Sequence, residues 1–470
     1  MNQYDHGIYA PSIRKNNGTY YVYYNAYMTG FYYSTAKNLA GPWSTQPLLD
    51  MYGEELLIGP AWDDPCPIWT SDGKAYLVVS KTDGAWYPHL FQMSEDGNKL
   101  LDGDLTTMSE NGVFSMDGTI IWNVRTSEGN KYYYWNGYHY FWRTQVLPES
   151  SYRGGFLMRS ENIYGTLSNG QPGSPVINPS APAAARDPTQ GTILENDCGE
   201  WWFITQSGVL GPEGRPISLV PVKWNATDGF PILGLDPING AGQFDWNGGA
   251  LRCSASKSTL ETFPQGGDNF TSTTLHPRWA WSYQPRPGYW SLTELPGYLR
   301  LKAFKQLTVG NFHKTGNMLV QRYFRSNSIQ ITVKISFANF AAGQIGGVAH
   351  WAAGASYAYL SVLMPETDTS FTPQLLYASS GANNATATVP KGQTSVYFRS
   401  VANYVGTQNF SYSFDGSTYT ALGSSYTLAS NDYRDSMIAL FTYNNLETAG
   451  AMDVDSFEYC FDHGFGLKCA

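Results

Sequence analysis

Two stretches of this chain share one order of residue types: WDDPCPIWTSDGKAYL at residues 62–77 and SEGNKYYYWNGYHYFW at residues 127–142. Each contains a carboxylate, then a short apolar or aromatic strand, a turn at a glycine, and a second strand rich in aromatic residues. The carboxylates are Asp64 and Glu128, and each lies nine residues before its turn glycine. If the two stretches are equivalent units packed around an axis, we expect these carboxylates to meet at that axis.

The same order of residue types occurs twice more, once upstream and once downstream. The turn glycines stand at positions 18, 73, 137 and 199, which gives spacings of 55, 64 and 62 residues. The third residue after each glycine is aromatic: Tyr21, Tyr76, Tyr140 and Trp202. A loose repeat of this length with aromatic hairpins is typical of β-propeller blades of about four strands. The alternative is a β-sandwich built from unrelated hairpins.

The composition favours an all-β fold class. A length of 470 residues predicts two sizeable domains, and 42% apolar residues are enough to give both a core. Only 14% of the residues are charged, against an average of about 25%, whereas 15% are aromatic and 48 are glycine. This profile predicts many short strands joined by turns, and no helix of consequence.

The residue pattern changes after Gly234, and this change predicts the domain boundaries. We assign residues 1–235 to the propeller and residues 236–267, which are irregular and contain Gly-Gly pairs, to a linker. Residues 268–470 contain strands of a different kind, such as 329–335, in which apolar and polar residues alternate. Alternating strands with turns about every 8–12 residues predict a β-sandwich.

Charge and hydropathy exclude two classes of partner. The net charge is −9 and the sequence has no basic stripe, so we predict no nucleic-acid partner. It also has no run of 18 apolar residues, so we predict no membrane-spanning segment.

Two features of the sequence bear on its location. Five N-x-[ST] sequons favour a secreted, extracellular protein; they lie at Asn17, Asn225, Asn269, Asn384 and Asn409. The first residues, MNQYDHG, do not form a signal peptide. We therefore expect that the natural N-terminus lies outside this chain.

The five cysteines do not form a recognisable framework. They lie at positions 66, 198, 253, 460 and 469, cannot all pair within the chain, and do not form a C-x-x-C metal pattern. Their pairing stays open.

The predicted meeting of Asp64 and Glu128 is suited to glycoside hydrolysis. That reaction needs two carboxyl groups across the scissile bond, one to donate a proton and one to activate water or attack carbon. Nearby tryptophans, Trp62, Trp86 and Trp122, are candidates to stack on sugar faces. Each carboxylate also has an ordinary interpretation, because Asp-Pro is a common strand entry and Glu-Gly is often an exposed turn.

The chain resembles glycoside hydrolase family 43, the β-xylosidase and α-L-arabinofuranosidase group, with its C-terminal concanavalin-like β-sandwich. The resemblance covers nearly the whole sequence, and the order of its motifs is more specific than any one of them. The motifs lie at residues 9–14, 62–67, 72–78, 128–131, 136–138, 159–165, 199–203, 214–215, 290–294 and 296–301.

The resemblance implies a five-bladed-type β-propeller and an inverting mechanism. Glu128 matches the family's general acid, and Asp64 matches the carboxylate that orients this acid and tunes its pKa. Arg215 matches an arginine that binds the terminal sugar, and Trp62 and Gln190 are further predicted substrate-binding residues. The assignment agrees with elementary electrostatics, since partial burial and a nearby negative charge keep a carboxylic acid protonated near neutral pH.

The chain departs from the family in its first blade. The family's general base is an Asp in an Asp-Pro motif upstream of the segment that matches residues 9–14. This chain begins at that segment, so about four blades are counted and no general base is assigned, Asp5 included. Without a base, water attack slows by about 10²–10⁴-fold, so we expect hydrolysis to be impaired.

A second departure concerns the propeller axis. The family commonly has His-Gln-Gly where this chain has Thr189-Gln190-Gly191, and that histidine is often linked to a central ion or water site. The predicted chemistry requires no cofactor, no metal ligands are assigned, and an axial calcium ion is in doubt.

The expected function is hydrolysis of xylan- or arabinan-type saccharides from plant cell walls. The alternative is a carbohydrate-binding protein that keeps the pocket and no longer hydrolyses. A third candidate, the related five-bladed fructan hydrolases, fits the contexts of Trp62 and Arg215 less well. We expect the C-terminal domain to brace the propeller rather than to bind sugar.

Overall fold

The computed structural model describes most of the chain, and the statements below concern only the part that it describes. The described residues are 7–26, 29–56, 62–81, 88–102, 114–115, 127–146, 153–163, 168–169, 190–196, 198–206, 217–233, 266–323, 326, 328–352, 354, 356–367, 372–380, 384–403, 406–429, 435–446, 450–462 and 467–469.

The chain divides into two compact units, one drawn from residues 5–208 and 216–255 and the other mainly from residues 256–470. The predicted linker, residues 236–267, lies outside the described residues except for its last two positions.

The N-terminal unit contains four antiparallel sheets of four strands, and each sheet pairs strands that follow one another along the chain. The first sheet contains β1 (Ile8–Asn16), β2 (Thr19–Ala26), β3 (Gly30–Ala36) and β4 (Ser44–Pro47). The second contains β5 (Trp62–Trp69), β6 (Ala75–Lys81), β7 (Pro88–Met93) and β8 (Phe114–Ser115). The third contains β9 (Ser127–Trp135), β10 (Tyr138–Val146), β11 (Arg153–Ser160) and β12 (Ser168–Asn169). The fourth contains β13 (Gln190–Glu195), β14 (Trp201–Gln206), β15 (Ile217–Trp224) and β16 (Pro231–Leu233).

The four turn glycines identified in the sequence lie between the first and second strands of the four sheets. Their φ angles are positive, at 73° for Gly18, 85° for Gly73, 81° for Gly137 and 75° for Gly199. Only glycine adopts this region without steric cost, which is why the turns recur as glycines in the sequence. The described residues thus contain the predicted repeat of blade-like sheets.

Consecutive sheets pack face to face through apolar layers. Tyr23 and Phe31 of the first sheet pack with Leu77 of the second, and the next layer joins the second sheet to the third. In the last layer, Trp142 of the third sheet packs with Phe203 of the fourth, their ring centroids 4.9 Å apart. This stacking of four sheets in chain order is the packing of a β-propeller.

The C-terminal unit is a sandwich of two antiparallel sheets. One sheet has the order β17-β20-β30-β22-β23-β24-β25, and the other has the order β18-β19-β31-β21-β26-β27-β28, with β29 beside β27 and β32 beside β31. Their strands are β17 (Ala280–Trp281), β18 (Trp290–Ser291), β19 (Leu299–Lys302), β20 (Met318–Arg322), β21 (Ser328–Ser336), β22 (Gln344–Ala352), β23 (Tyr357–Leu363), β24 (Gln374–Ser379), β25 (Ala385–Thr388), β26 (Ser395–Asn403), β27 (Thr407–Ser413), β28 (Thr420–Ala421), β29 (Tyr426–Thr427), β30 (Ser436–Asn444), β31 (Ala451–Asp462) and β32 (Leu467–Cys469).

The inner faces of both sheets form one apolar core, to which β21, β23, β26 and β30 contribute buried side chains. Within the described residues of this unit, the 3-10 helix Phe312–Lys314 is the one helical element. No helix among the described residues has the length and hydropathy needed to cross a membrane. The prediction of an all-β chain is confirmed.

A buried ion pair links two strands of the sandwich. Arg300 on β19 donates to both carboxylate oxygens of Asp453 on β31, at 2.7 and 3.0 Å, and Asn339 donates to the same carboxylate at 3.1 Å. Asp453 is only 1% exposed. Two residues along β31, Asp455 pairs with Lys334 at 2.5 Å, and both of these side chains are about 30% exposed.

These two pairs give a matched test of packing in the sandwich. We expect Asp453→Ala to lower the free energy of unfolding by about 1–3 kcal/mol, because it removes two charge-assisted hydrogen bonds from Arg300 and leaves it only the more exposed Glu294, at 3.7 Å. Asp455→Ala is the control and should cost less than about 1 kcal/mol. Urea denaturation followed by tryptophan fluorescence measures both free energies of unfolding. Equal losses would contradict the conclusion that the buried Asp453 pair stabilises the sandwich more than the exposed Asp455 pair.

Candidate active site

The first strands of the four sheets, β1, β5, β9 and β13, are here called the innermost strands. Three of them contain a β-bulge at a corresponding position. At each bulge two residues oppose one residue of the neighbouring strand, so the bulged strand bends. The bulged pairs are Ala10-Pro11 in β1, Asp64-Pro65 in β5 and Gly129-Asn130 in β9. The first residue of each bulged pair has a positive φ, of 44°, 54° and 73° respectively.

The bulges define which residues of the sheets are equivalent. The residue before the bulge is Asp63 in β5, where it pairs with Ser80, and Glu128 in β9, where it pairs with Thr144. Glu128 is therefore equivalent to Asp63 and not to Asp64. The equal nine-residue spacing was misleading because the β5–β6 connection, residues 70–74, is longer than the β9–β10 connection, residues 136–137.

Asp64 nevertheless lies beside Glu128, as the sequence predicts. Its Oδ2 accepts a hydrogen bond of 2.7 Å from the backbone N–H of Gly129, the residue that follows Glu128. Its backbone carbonyl accepts from the side chain of Asn130 at 3.2 Å, and that side chain also donates to Ser80 Oγ at 2.8 Å. Asp64 is 7% exposed, so its carboxylate is fixed between the second and third sheets.

Glu128 is also contacted from the fourth sheet. Gln190 Nε2 on β13 donates to Glu128 Oε1 at 3.1 Å, and Gln190 Oε1 accepts from Gln206 Nε2 on β14 at 2.9 Å. The structure thus places Gln190 against the candidate acid, while its role in binding substrate stays a prediction. Gln206 was missed by the sequence analysis, because only the β13–β14 register shows that it lies directly opposite Gln190.

A third carboxylate, Asp63, was also missed. Its Oδ1 accepts from the backbone N–H of Asp64 at 2.9 Å. Burial raises the pKa of Asp63 to about 7, and the negative charges of Asp64 and Glu128 add to this effect, while hydrogen bonds from Asp64 and Asn25 oppose it. The tandem Asp63-Asp64 ahead of proline was the available signal.

Trp62 does not have the exposure of a sugar-stacking residue. It is 5% exposed, and its ring packs edge-on against His89 and Phe91, with centroids 5.2 and 6.1 Å apart. Its backbone carbonyl accepts from Asn25 Nδ2 at 2.9 Å, which joins the first two sheets. The structure places Trp62 in the apolar layer between the first two sheets, and its role in binding sugar stays a prediction.

Cationic side chains lie where the inner strands converge. Arg14 on β1 donates to the carbonyl of Tyr132 on β9 at 2.8 Å and contacts Cys66 Sγ on β5 at 3.5 Å. Lys131 on β9 donates to the carbonyl of Asn130 at 2.9 Å, and burial lowers its pKa.

This group of side chains does not fit an axial calcium ion. Calcium takes six to eight oxygen ligands, whereas the described side chains that meet here include the Arg14 guanidinium, the Lys131 ammonium and the Cys66 thiol. We therefore assign no role to calcium in the reaction.

Several predicted residues lie outside the described part of the chain: Asp5, Trp86, Trp122, Thr189 and Arg215. The substrate-binding role of Arg215 stays a prediction.

Two family models together match most of the sequence. Glycosyl hydrolases family 43 matches residues 1–231. The Beta xylosidase C-terminal Concanavalin A-like domain matches residues 267–460.

Curated relatives match over much of the chain. A beta-xylosidase of Formosa agariphila is 27% identical, over 98% of this chain and 79% of its own length. A putative beta-xylosidase of Xylanibacter ruminicola is 30% identical over 71% of this chain, and a non-reducing end alpha-L-arabinofuranosidase of Bacteroides ovatus is 29% identical over 63%. The chain spans 57% and 52% of the lengths of these last two relatives.

Solved structures show the same fold at low identity. A bifunctional GH43-CE protein of Bacteroides eggerthii superposes with a TM-score of 0.76 and 23% identity, over 97% of this chain and 54% of its own. A GH43B protein of Bacteroides ovatus gives a TM-score of 0.75 and 21% identity, over 98% and 88%. The blade-like sheets, the sandwich that follows them and both family models lead to one assignment: the chain belongs to glycosyl hydrolases family 43 and has the C-terminal concanavalin A-like domain of the beta-xylosidases.

Proposed function

We propose that this chain hydrolyses xylan- or arabinan-type saccharides of plant cell walls by an inverting mechanism. Glu128 is the general acid, and Asp64 is the carboxylate that orients it. The observation that carries the proposal is the 2.7 Å hydrogen bond from the Gly129 N–H to Asp64 Oδ2. It ties a buried carboxylate of the second sheet to the peptide that follows the candidate acid on the third.

The proposed role of Glu128 is to protonate the oxygen of the leaving sugar as the glycosidic bond breaks. The negative charge of Asp64 beside it favours the protonated acid before the reaction. Gln190 donates to one carboxyl oxygen of Glu128 and so helps to orient this side chain. Among the described residues we assign no general base to activate the attacking water.

The sugar is proposed from the relatives. Two of them are named as beta-xylosidases and one as an alpha-L-arabinofuranosidase. Both names describe the release of a pentose, so we propose that the sugar whose anomeric carbon is attacked is xylose or arabinose. Comparing the rates on aryl β-xylosides and aryl α-L-arabinofuranosides tests this choice, and inactivity on both would contradict it.

The proposed acid is tested with one conservative variant. We expect Glu128→Gln to reduce turnover of xylo-oligosaccharides by about 10²–10⁴-fold, because their leaving groups need protonation. The turnover of aryl glycosides whose leaving group is an acidic phenol should fall much less. Reducing-sugar assays and thermal melting measure activity and folding.

The matched control is Glu195→Gln, which changes an exposed carboxylate at the other end of β13 and should keep full activity. Full turnover of oligosaccharide by Glu128→Gln would contradict the proposed role. If the unaltered chain binds xylo-oligosaccharide in calorimetry without hydrolysing it, the function is carbohydrate binding instead.

We also propose that the protein works in an extracellular environment. Cys460 and Cys469 form a disulfide, and Cys198 is disulfide-bonded as well, which is typical of oxidising compartments. Cys66 is buried as a free thiol.

Peptide mapping without reduction tests the proposed location on protein from its natural host. We expect Cys460 and Cys469 to be found linked and Cys66 to react with an alkylating reagent only after unfolding. Recovery of Cys460 and Cys469 as thiols in protein trapped at harvest would contradict the proposal.

A further inference from the structure

Asp63 occupies on β5 the position that Glu128 occupies on β9. Both residues directly precede a β-bulge, and the two bulges lie on neighbouring innermost strands. Because side chains alternate along a strand and the bulges bend both strands in the same way, the two carboxyl groups leave their strands at the same level. Asp63 is thus placed next to the candidate acid by the architecture of the repeat.

Asp63 contacts the backbone of Asp64 directly. Its Oδ1 accepts from the backbone N–H of Asp64 at 2.9 Å. Asp64 is the residue of the bulge that has a φ of 54°. A positive φ costs a non-glycine residue about 1–2 kcal/mol, so the bulge needs such contacts to keep its shape. Holding this backbone also holds the Asp64 carboxylate against the Gly129 N–H.

The charges around Asp63 come from two strands. The negative charges of Asp64 on its own strand and of Glu128 on β9 act on Asp63, and Lys131 on β9 lies within electrostatic reach. Asn25, a buried residue of β2, donates to its side chain. Three carboxyl groups so close together cannot all ionise freely, because each negative charge favours the proton on the others.

We propose that Asp63 is a positioning residue of the reaction: its carboxyl oxygen holds the backbone N–H of Asp64 and thereby keeps the Asp64 carboxylate in place beside Glu128. This inference rests on the proposed function of Glu128.

Two substitutions separate the contact from the charge. Asp63→Asn keeps an oxygen that can accept from the Asp64 N–H and removes the charge, whereas Asp63→Ala removes both. We expect Asp63→Asn to keep kcat within about twofold of the unaltered chain, because its carboxamide oxygen still accepts from the Asp64 N–H. Asp63→Ala should lose at least about tenfold in kcat at the optimum with little change in KM, because the backbone that carries the Asp64 carboxylate is no longer held.

Asp72→Asn is the matched control. Asp72 is an exposed carboxylate in the β5–β6 turn whose hydrogen bonds to Thr70 and Lys74 hold its pKa at about 2, so it is ionised throughout the assay. Its removal should leave kcat and KM unchanged. A kcat of Asp63→Ala equal to that of the unaltered chain would overturn the inference.

A second readout does not depend on turnover. Hydrogen exchange of the Gly129 amide reports on its bond to Asp64 Oδ2. The exchange rate should rise at least about tenfold in Asp63→Ala and stay unchanged in Asp63→Asn, and an unchanged rate in Asp63→Ala would overturn the inference. If the rate changes in a chain that hydrolyses no pentoside, the proposed function fails while the positioning of Asp64 by Asp63 stands.

Stability against pH gives an independent check on Asp63. Its pKa is raised from 3.8 to about 7 in the folded chain, so the folded state holds this proton more tightly than the unfolded state. The resulting stabilisation is present below about pH 4 and is lost as the pH rises to about 7. The melting temperature of the unaltered chain should therefore fall relative to that of Asp63→Asn across this window. Melting temperatures of the two proteins that change in parallel with pH would contradict the raised pKa of Asp63.

Discussion

The hydrogen bond between the Gly129 N–H and Asp64 Oδ2 is the contact on which the site depends. It joins the second and third sheets at their innermost strands, and both partners lie in β-bulges. A carboxylate that accepts from a buried N–H cannot rotate away without leaving that donor unsatisfied, which costs about 1–3 kcal/mol. The same bond therefore fixes the relation of two sheets and the distance between two candidate catalytic groups.

The rest of the N-terminal unit supports this contact. Apolar layers lie between consecutive sheets, so the innermost strands are held in order and their side chains converge. Asn130 and Ser80 support the Asp64 bulge from β9 and β6, and Gln190 supports Glu128 from β13. The site is thus built on strand positions that packing keeps rigid, as an electrostatic role for Asp64 requires.

The sequence allowed the repeat to be predicted, but not its register at the site. Gly73 and Gly137 were recognisable because a positive φ in a tight turn demands glycine. The bulges were not recognisable, because a bulge is defined by a partner strand that the local sequence does not identify. This is why Asp64 was matched with Glu128 and Asp63 was overlooked. The burial of Trp62 was not predictable for a related reason, since an aromatic-rich chain uses the same residue types for core and for sugar contacts.

The most direct test of the central claim is a crystal structure of the Glu128→Gln variant with a bound xylo-oligosaccharide. The account predicts that the carboxamide of residue 128 lies about 2.6–3.2 Å from a glycosidic oxygen, with Asp64 still bonded to the Gly129 N–H. An oligosaccharide bound with its glycosidic oxygens out of reach of residue 128 would contradict it.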